Sequence, residues 1–371
     1  MFDNLIKPAR ALGFDPDRLK LLDALVEDGI TGGLYPAAAY AVMRHGMVAA
    51  HGAFGHPQPD SFPSARTQTN TIFDIASLTK SFTGVLLMRS VERGKILLTQ
   101  SLGAVLPAEA AMSPLAHITI KQLATHTSGL PAWLPLFKSP RSAVSDILNT
   151  HPTVEPGTKY TYSDLGYILL GHVVAQINSK PLDRLAHDEL FQPLGMTDSG
   201  YNPPVHLHAR IAATGHSRDR VGQTIVGTVH DENANGLGGV SGHAGIFSTV
   251  QDLCRFALAV QFPTTAAHFS IPQAAGVAAR RVARESQIPA AVGSHGIGWF
   301  IGANPYLPSG DLASPKAYGH TGFTGTMIVF EPDLDLCMIL LTNRVYMPGD
   351  GAGVLKLRRQ FVNIVVGSID Q

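Results

Sequence analysis

Cysteine is scarce in this chain. Cys254 and Cys337 are the only two among 371 residues, and neither stands in a CxxC or other metal-ligand spacing. They are expected to be reduced, packed thiols without a functional part. An excess of either charge is also missing: 28 Lys plus Arg balance 28 Asp plus Glu. No basic stripe of the kind that holds a phosphate backbone is visible, so nucleic acid is not an expected partner. Long apolar runs are lacking too, each stretch being interrupted short of the ~18 residues of a membrane helix, and no membrane span is predicted. The opening "MFDNLIKPARALGFDPDRLKLLDALVEDG" has no uninterrupted apolar core and no small-residue cleavage site. Its acidic residues argue against a transit peptide, so the expected address is cytoplasmic. Sixteen histidines invite a metal reading, but the tightest cluster, His206-Leu207-His208, lacks a downstream carboxylate at recognisable spacing. No metal and no cofactor are expected.

What is present is apolar bulk. With 45% hydrophobic residues the chain can bury one large core or two smaller ones. Asp15 to Asp28 reads as a helix capped by Asp15 and closed by Gly29. "AAAYAVMRHGMVAAHGAFG" gives two apolar runs joined at His45-Gly46, the pattern of a β-hairpin with a tight turn. Ala76 to Arg93 reads as a long helix stopped by Gly94, because Phe82, Val85, Leu86 and Val91 recur at helical intervals. From about Leu97 to Ser294 proline-rich loops alternate with helical patches such as "DLGYILLGHVVAQI" and "VQDLCRFALAV". The last eighty or so residues return to strand texture and end in the helix-like "GVLKLRRQFVNIVVGSI". The expected class is therefore α/β of the α+β type, an antiparallel sheet flanked by helices beside a mostly helical lobe. Residues 1–95 and 295–371 would form the sheet domain and 96–294 the inserted helical one, with a cleft between them as the natural site.

One stretch carries chemistry. In "DIASLTKSFTGV" Ser77 and Lys80 stand three residues apart at a helix start, hence on one face. A serine hydroxyl is a weak nucleophile until a base removes its proton. Lys80 can be that base only as the neutral amine, which burial among apolar neighbours favours. Free backbone N–H groups at a helix N-terminus can also meet a developing oxyanion. The plainer reading is a serine cap with an exposed lysine, since Ser-x-x-Lys is common. Two later stretches add to it: Tyr162-Ser163-Asp164 before a helix, and His320-Thr321-Gly322 on a strand whose glycine admits a ligand to the backbone.

In that order the three motifs resemble those of the serine β-lactamase and penicillin-binding-protein superfamily, nearest the class C-like branch with its DD-carboxypeptidases and family VIII carboxylesterases. "IKQLATHTSGLP", "YSDLGYILLG", "FQPLGMTDSGY" and "GLGGVSGHAGIFSTVQDLCRF" extend the resemblance over nearly the whole chain. It implies a β-lactamase/transpeptidase-like fold, Ser77 as acylated nucleophile, Lys80 as its base and Tyr162 as proton relay. The oxyanion hole would be the N–H groups of Ser77 and Phe323, and His320, Thr321, Gly322 and Asp164 would line the substrate site. Two positions depart from the lactamase pattern. Asp164 replaces an amide with an acceptor-only carboxylate, and His320 replaces a lysine with an imidazole mostly neutral near pH 7.

Three functions follow as expectations: a carboxylesterase on small esters, a D-amino-acid peptidase, DD-carboxypeptidase or weak β-lactamase, and an inactive binding protein on the same fold. In the glycine-rich loop 228–249, His230, Asp231 and His243 read as structural, with lining of the acyl pocket as the alternative. Trp133 and Phe137 would wall an apolar pocket or simply pack a loop. The expected partner is a small ester, amide or peptide.

Overall fold

The structure, a computed structural model, describes residues 2–139, 142–216, 224–349 and 351–370. Its main sheet has six antiparallel strands in the spatial order Met47–Gly55, Ala37–Arg44, Leu336–Thr342, Met327–Glu331, Tyr318–Thr321 and Phe300–Ile301. β1 (Ala37–Arg44) and β2 (Met47–Gly55) form the hairpin turning at His45-Gly46, whose φ values of 52° and 75° both lie in the left-handed region. That is the backbone a two-residue turn needs to match strand twist. Downstream come β8 (Phe300–Ile301), β9 (Tyr318–Thr321), β10 (Met327–Glu331) and β11 (Leu336–Thr342). The chain's first hairpin pairs with its last strand, Ala38 opposite Thr342 through Arg44 opposite Leu336.

Alternation along the strands splits the core into two layers. Ala38, Tyr40, Val42, Met338 and Leu340 face one cluster with Leu22, Val26 and Phe361, from helices Leu21–Thr31 and Ala352–Gly367. Ala39, Ala41, Met43, Ile339 and Leu341 face the other, which holds Phe82, Phe256, Trp299 and the apolar side chains of the middle of the chain. The regular elements among the described residues between 56 and 299 are mostly helices. Two small sheets join them: β3 (Phe73–Asp74), β7 (Ile246–Ser248) and β4 (Gly200–Tyr201) in one, β5 (Gly215–His216) and β6 (Thr224–Ile225) in the other.

Some local expectations shift. Asp15 does cap a helix, accepting from the N–H groups of Asp17 and Arg18, but that helix is only Pro16–Leu19. A second one, Leu21–Thr31, runs through Gly29 rather than stopping at it. Gly29 is there for space: a methyl group at its Cα would lie 2.2 Å from the Tyr35 hydroxyl. The segment 76–93 divides into a single 3-10 turn, Ala76–Leu78, and the helix Thr79–Glu92. Eleven of the fourteen residues of that helix are buried, so it is a central rather than an amphipathic surface helix. Its buried hydroxyls are satisfied across the fold, Ser81 by Gly298 O at 2.9 Å and Thr83 by Gly242 O at 2.7 Å. Among the described residues no helix is long and apolar enough to cross a membrane.

Candidate active site

Ser77 sits in the 3-10 turn one step before the long helix. The residue before it, Ala76, has φ +46°, a left-handed conformation that costs an alanine about 1 kcal/mol or more and is found mostly where function needs it. The Ala76 carbonyl accepts from the Thr79 N–H inside the turn, so the trans peptide aims the Ser77 N–H the opposite way. Ser77 is partly exposed, whereas Lys80 is fully buried. The Lys80 ammonium donates to Ser77 Oγ at 3.0 Å and to the His243 carbonyl at 3.1 Å. Its Nζ also lies 2.7 Å from Asp164 Oδ1 and 4.9 Å from the centre of the Tyr162 ring. The lysine is stripped of water, as expected, and it is also paired with a carboxylate.

Tyr162 and Asp164 flank the start of the helix Asp164–Ile177. This loop is pinned by His126: its carbonyl accepts from the Thr161 N–H at 2.8 Å and its Nδ1 from the Ser163 N–H at 3.0 Å. The Ser163 hydroxyl and the Asp164 N–H bond to the Pro131 and Ala132 carbonyls. The Tyr162 phenol interacts with the Ser77 side chain. Burial, with the Asp164 charge added, pushes that phenol well above its ordinary range, so it stands as a proton donor.

The strand β9 brings in the third motif. His320 is fully buried, stacked on Phe300 at 4.1 Å, with Nδ1 against the Thr321 carbonyl at 2.8 Å. Burial and the nearby Lys80 charge hold its imidazole well below the ordinary value, hence neutral. Gly322 needs to be glycine, because a methyl group there would lie 2.4 Å from the Ile75 carbonyl and 2.2 Å from Thr326 Oγ1. Two arginines fix the peptide beyond it. Arg358, buried in the terminal helix, donates to Gly322 O at 2.7 Å, and Arg344 Nε donates to Phe323 O at 2.6 Å. With the Gly322 carbonyl held by Arg358, the Phe323 N–H points away from that helix. Neither the Ser77 nor the Phe323 N–H has an acceptor among the described residues.

The glycine-rich loop reaches the same place. His243, buried, bonds to Asp231 Oδ1 at 2.8 Å through Nε2 and to Ser241 Oγ at 2.8 Å through Nδ1. Asp231 caps the short helix Glu232–Gly236. Burial opposes its charge, but His243, the Ala234 N–H and Lys80 more than offset this and hold the carboxyl well below the usual range. Ligand-type atoms of Asp164, Asp231 and His243 lie within 4.8 Å of one another, and the cation beside them is the Lys80 ammonium. Trp133 and Phe137 pack on each other, 44% and 38% exposed, in the loop that ties down Asp164. Sequence reasoning singled out neither His126 nor Asp74, and Arg358 went unnoticed in an amphipathic helix. Their signals were present only as "THTSGLP" and "FDIASLTK".

Comparison with known proteins decides the family. The beta-lactamase family model matches residues 22–363. This chain belongs to the beta-lactamase family. A putative D-alanyl-D-alanine carboxypeptidase from Salmonella schwarzengrund is 30% identical over 373 residues, covering 91% of this chain and 85% of that one. Similar folds occur in the octameric penicillin-binding protein homologue from Pyrococcus abyssi and in a hydrolase with promiscuous acyltransferase activity. The first has a TM-score of 0.71 at 20% identity over 94% of this chain and 77% of the other. The second has a TM-score of 0.71 at 19% identity over 93% and 98%. Like other members of the beta-lactamase family, the chain is a serine hydrolase with a mixed fold of helices and antiparallel sheet.

Proposed function

We propose that the chain hydrolyses small uncharged carboxylic esters through an acyl-enzyme on Ser77. In this reading Lys80 first gives up a proton, for which Asp164 Oδ1 at 2.7 Å is the neighbouring acceptor, and Ser77 Oγ then attacks the ester carbonyl as its own proton passes to the Lys80 amine. The carbonyl oxygen becomes an oxyanion facing the N–H groups of Ser77 and Phe323. Collapse expels the alcohol, which takes a proton through Tyr162, and water then repeats the sequence on the acyl-enzyme. The convergence of Ser77, Lys80 and Tyr162, with Lys80 Nζ 3.0 Å from Ser77 Oγ, supports the nucleophile assignment. The preference for an uncharged ester rests on His320: where a lysine would offer a fixed cation, a buried and neutral imidazole stands. A substrate carboxylate gains nothing from it.

A second reading, a carboxypeptidase on D-alanyl peptides, is favoured by the name of the relatives at 30% identity. One panel separates the two: p-nitrophenyl esters of graded chain length, a chromogenic cephalosporin and a D-Ala-D-Ala peptide. The expected result is a kcat/KM for a short ester at least about tenfold above the cephalosporin, which needs only about 1.4 kcal/mol of differential transition-state binding. Faster release of D-alanine than of p-nitrophenol from every ester would replace the first reading by the second.

A further inference from the structure

The strained turn that carries Ser77 is held by the buried carboxylate of Asp74. Asp74, the last residue of β3, is 3% exposed. One of its oxygens accepts from the Ala76 N–H at 2.8 Å and the other from the His230 N–H at 2.8 Å. Its own carbonyl accepts from Thr324 Oγ1 at 2.7 Å, and the next carbonyl, of Ile75, from Thr326 Oγ1 at 3.0 Å. The Ile75 N–H bonds to Ile246 O of β7 at 3.0 Å. One residue therefore ties three segments together: the Ser77 turn, the loop leading to Asp231, and the turn after β9 that carries Phe323.

We propose that Asp74, as a carboxylate, is the positioning residue that sets the Ser77 turn and the Asp231 loop in register, so that the reactivity of Ser77 depends on the ionisation of Asp74. The proposal rests on Ser77 being the nucleophile. Its physical basis is donor and acceptor count. Both groups facing Asp74 are backbone N–H donors, so only an acceptor at each oxygen satisfies them. Protonation makes one of these oxygens a hydroxyl, a far weaker acceptor than a carboxylate oxygen, and removes the charge that strengthens both bonds, so the hold on the strained Ala76 turn and on the His230 loop slackens. Burial pushes Asp74 up to about 6, opposed by its two N–H bonds and aided by the Asp231 charge. Thr324 and Thr326 from the turn after β9 and Ile246 from β7 carry no charge, and the other titratable side chain on a bonded residue is His230, whose ring stacks on Phe323 at 5.7 Å. Asp74→Asn imitates the protonated acid, because its amide nitrogen faces an N–H.

The test is the rate at which a fluorophosphonate labels Ser77 between pH 5 and pH 9, with the site read by peptide mapping. The wild type should lose labelling as pH falls through about 6. Asp74→Asn should label at least about tenfold more slowly at pH 8 and lack the inflection near 6. Should Asp74→Asn fold poorly, amide NMR of the wild type serves instead. The Ala76 N–H resonance should titrate with a midpoint near 6, as its carboxylate acceptor is protonated. Equal labelling of variant and wild type across the range, or an Ala76 amide that does not titrate, would overturn the proposal. No labelling of Ser77 in the wild type at any pH would instead remove the nucleophile assignment on which it stands.

Discussion

Lys80 Nζ lies 2.7 Å from Asp164 Oδ1 and 3.0 Å from Ser77 Oγ, so the residue that departs from the lactamase pattern is bound to the candidate base. From sequence, Asp164 was expected to meet the substrate. Its carboxylate is charge-balanced by Lys80 inside the site, 20% exposed on its side chain against 0% for Lys80. This predicts a separation of stability from activity. Lys80→Met should destabilise the fold by up to about 3 kcal/mol, since it leaves a half-buried carboxylate unpaired. Lys80→Met with Asp164→Asn should recover most of that loss while remaining inactive. Thermal melts and ester turnover, measured on both variants, check the two halves independently.

Lys80→Arg should be nearly as inactive as Lys80→Met, because a guanidinium does not release its proton in a protein. Retention of more than about a tenth of wild-type kcat would show that charge at this position suffices and that the base lies elsewhere, Tyr162 first.

Ser77→Ala should abolish hydrolysis and covalent labelling, with a loss of at least about 10³ in kcat. Its melting temperature should stay within a few degrees of the wild type, because the hydroxyl is partly exposed and its removal leaves no large void. Mass spectrometry of the labelled protein identifies the modified serine.

The buried histidines predict a pH dependence of stability. Burial pulls His295 down to about 4, and His126 and His320 also fall well below their ordinary value for the same first reason. A base whose folded value is depressed leaves the unfolded chain binding more protons once pH drops below about 6.5, so stability is full above that pH and declines beneath it. For His295 the span from about 6.5 to about 4 corresponds to roughly 3 kcal/mol at most. Asp74 and Asp252, each raised to about 6 by burial, act in the opposite sense over the same window. Urea midpoints from pH 7.5 to pH 4.5 should fall for the wild type, and His295→Phe should flatten the slope.

Gly242→Ala should damage stability and turnover together. A methyl group there would lie 2.2 Å from the Tyr167 carbonyl and 2.8 Å from the Gly171 N and Cα, in the wall between helix Asp164–Ile177 and the glycine-rich loop. That loop supplies the His243 carbonyl to Lys80. Displacing it should lower kcat more than tenfold and reduce the melting temperature by several degrees, readable in one thermal-shift and one kinetic series.

The sequence by itself determined what is local or periodic. The hairpin at His45-Gly46, the helices Asp164–Ile177 and Val250–Gln261 and the terminal helix were legible because apolar spacing and turn residues report on neighbours a few positions away. Ser77 and Lys80 were legible for the same reason, being one turn apart. Tertiary structure alone decided which distant groups face them. Asp74 and His230 are 156 positions apart, Lys80 and His243 163, and Arg358 and Gly322 36, and nothing in local propensity encodes those meetings. The same holds for the sign of the site's charges. An aspartate reads as an acceptor in any sequence, but whether it faces a substrate or neutralises a buried lysine depends on which elements the core packs against it.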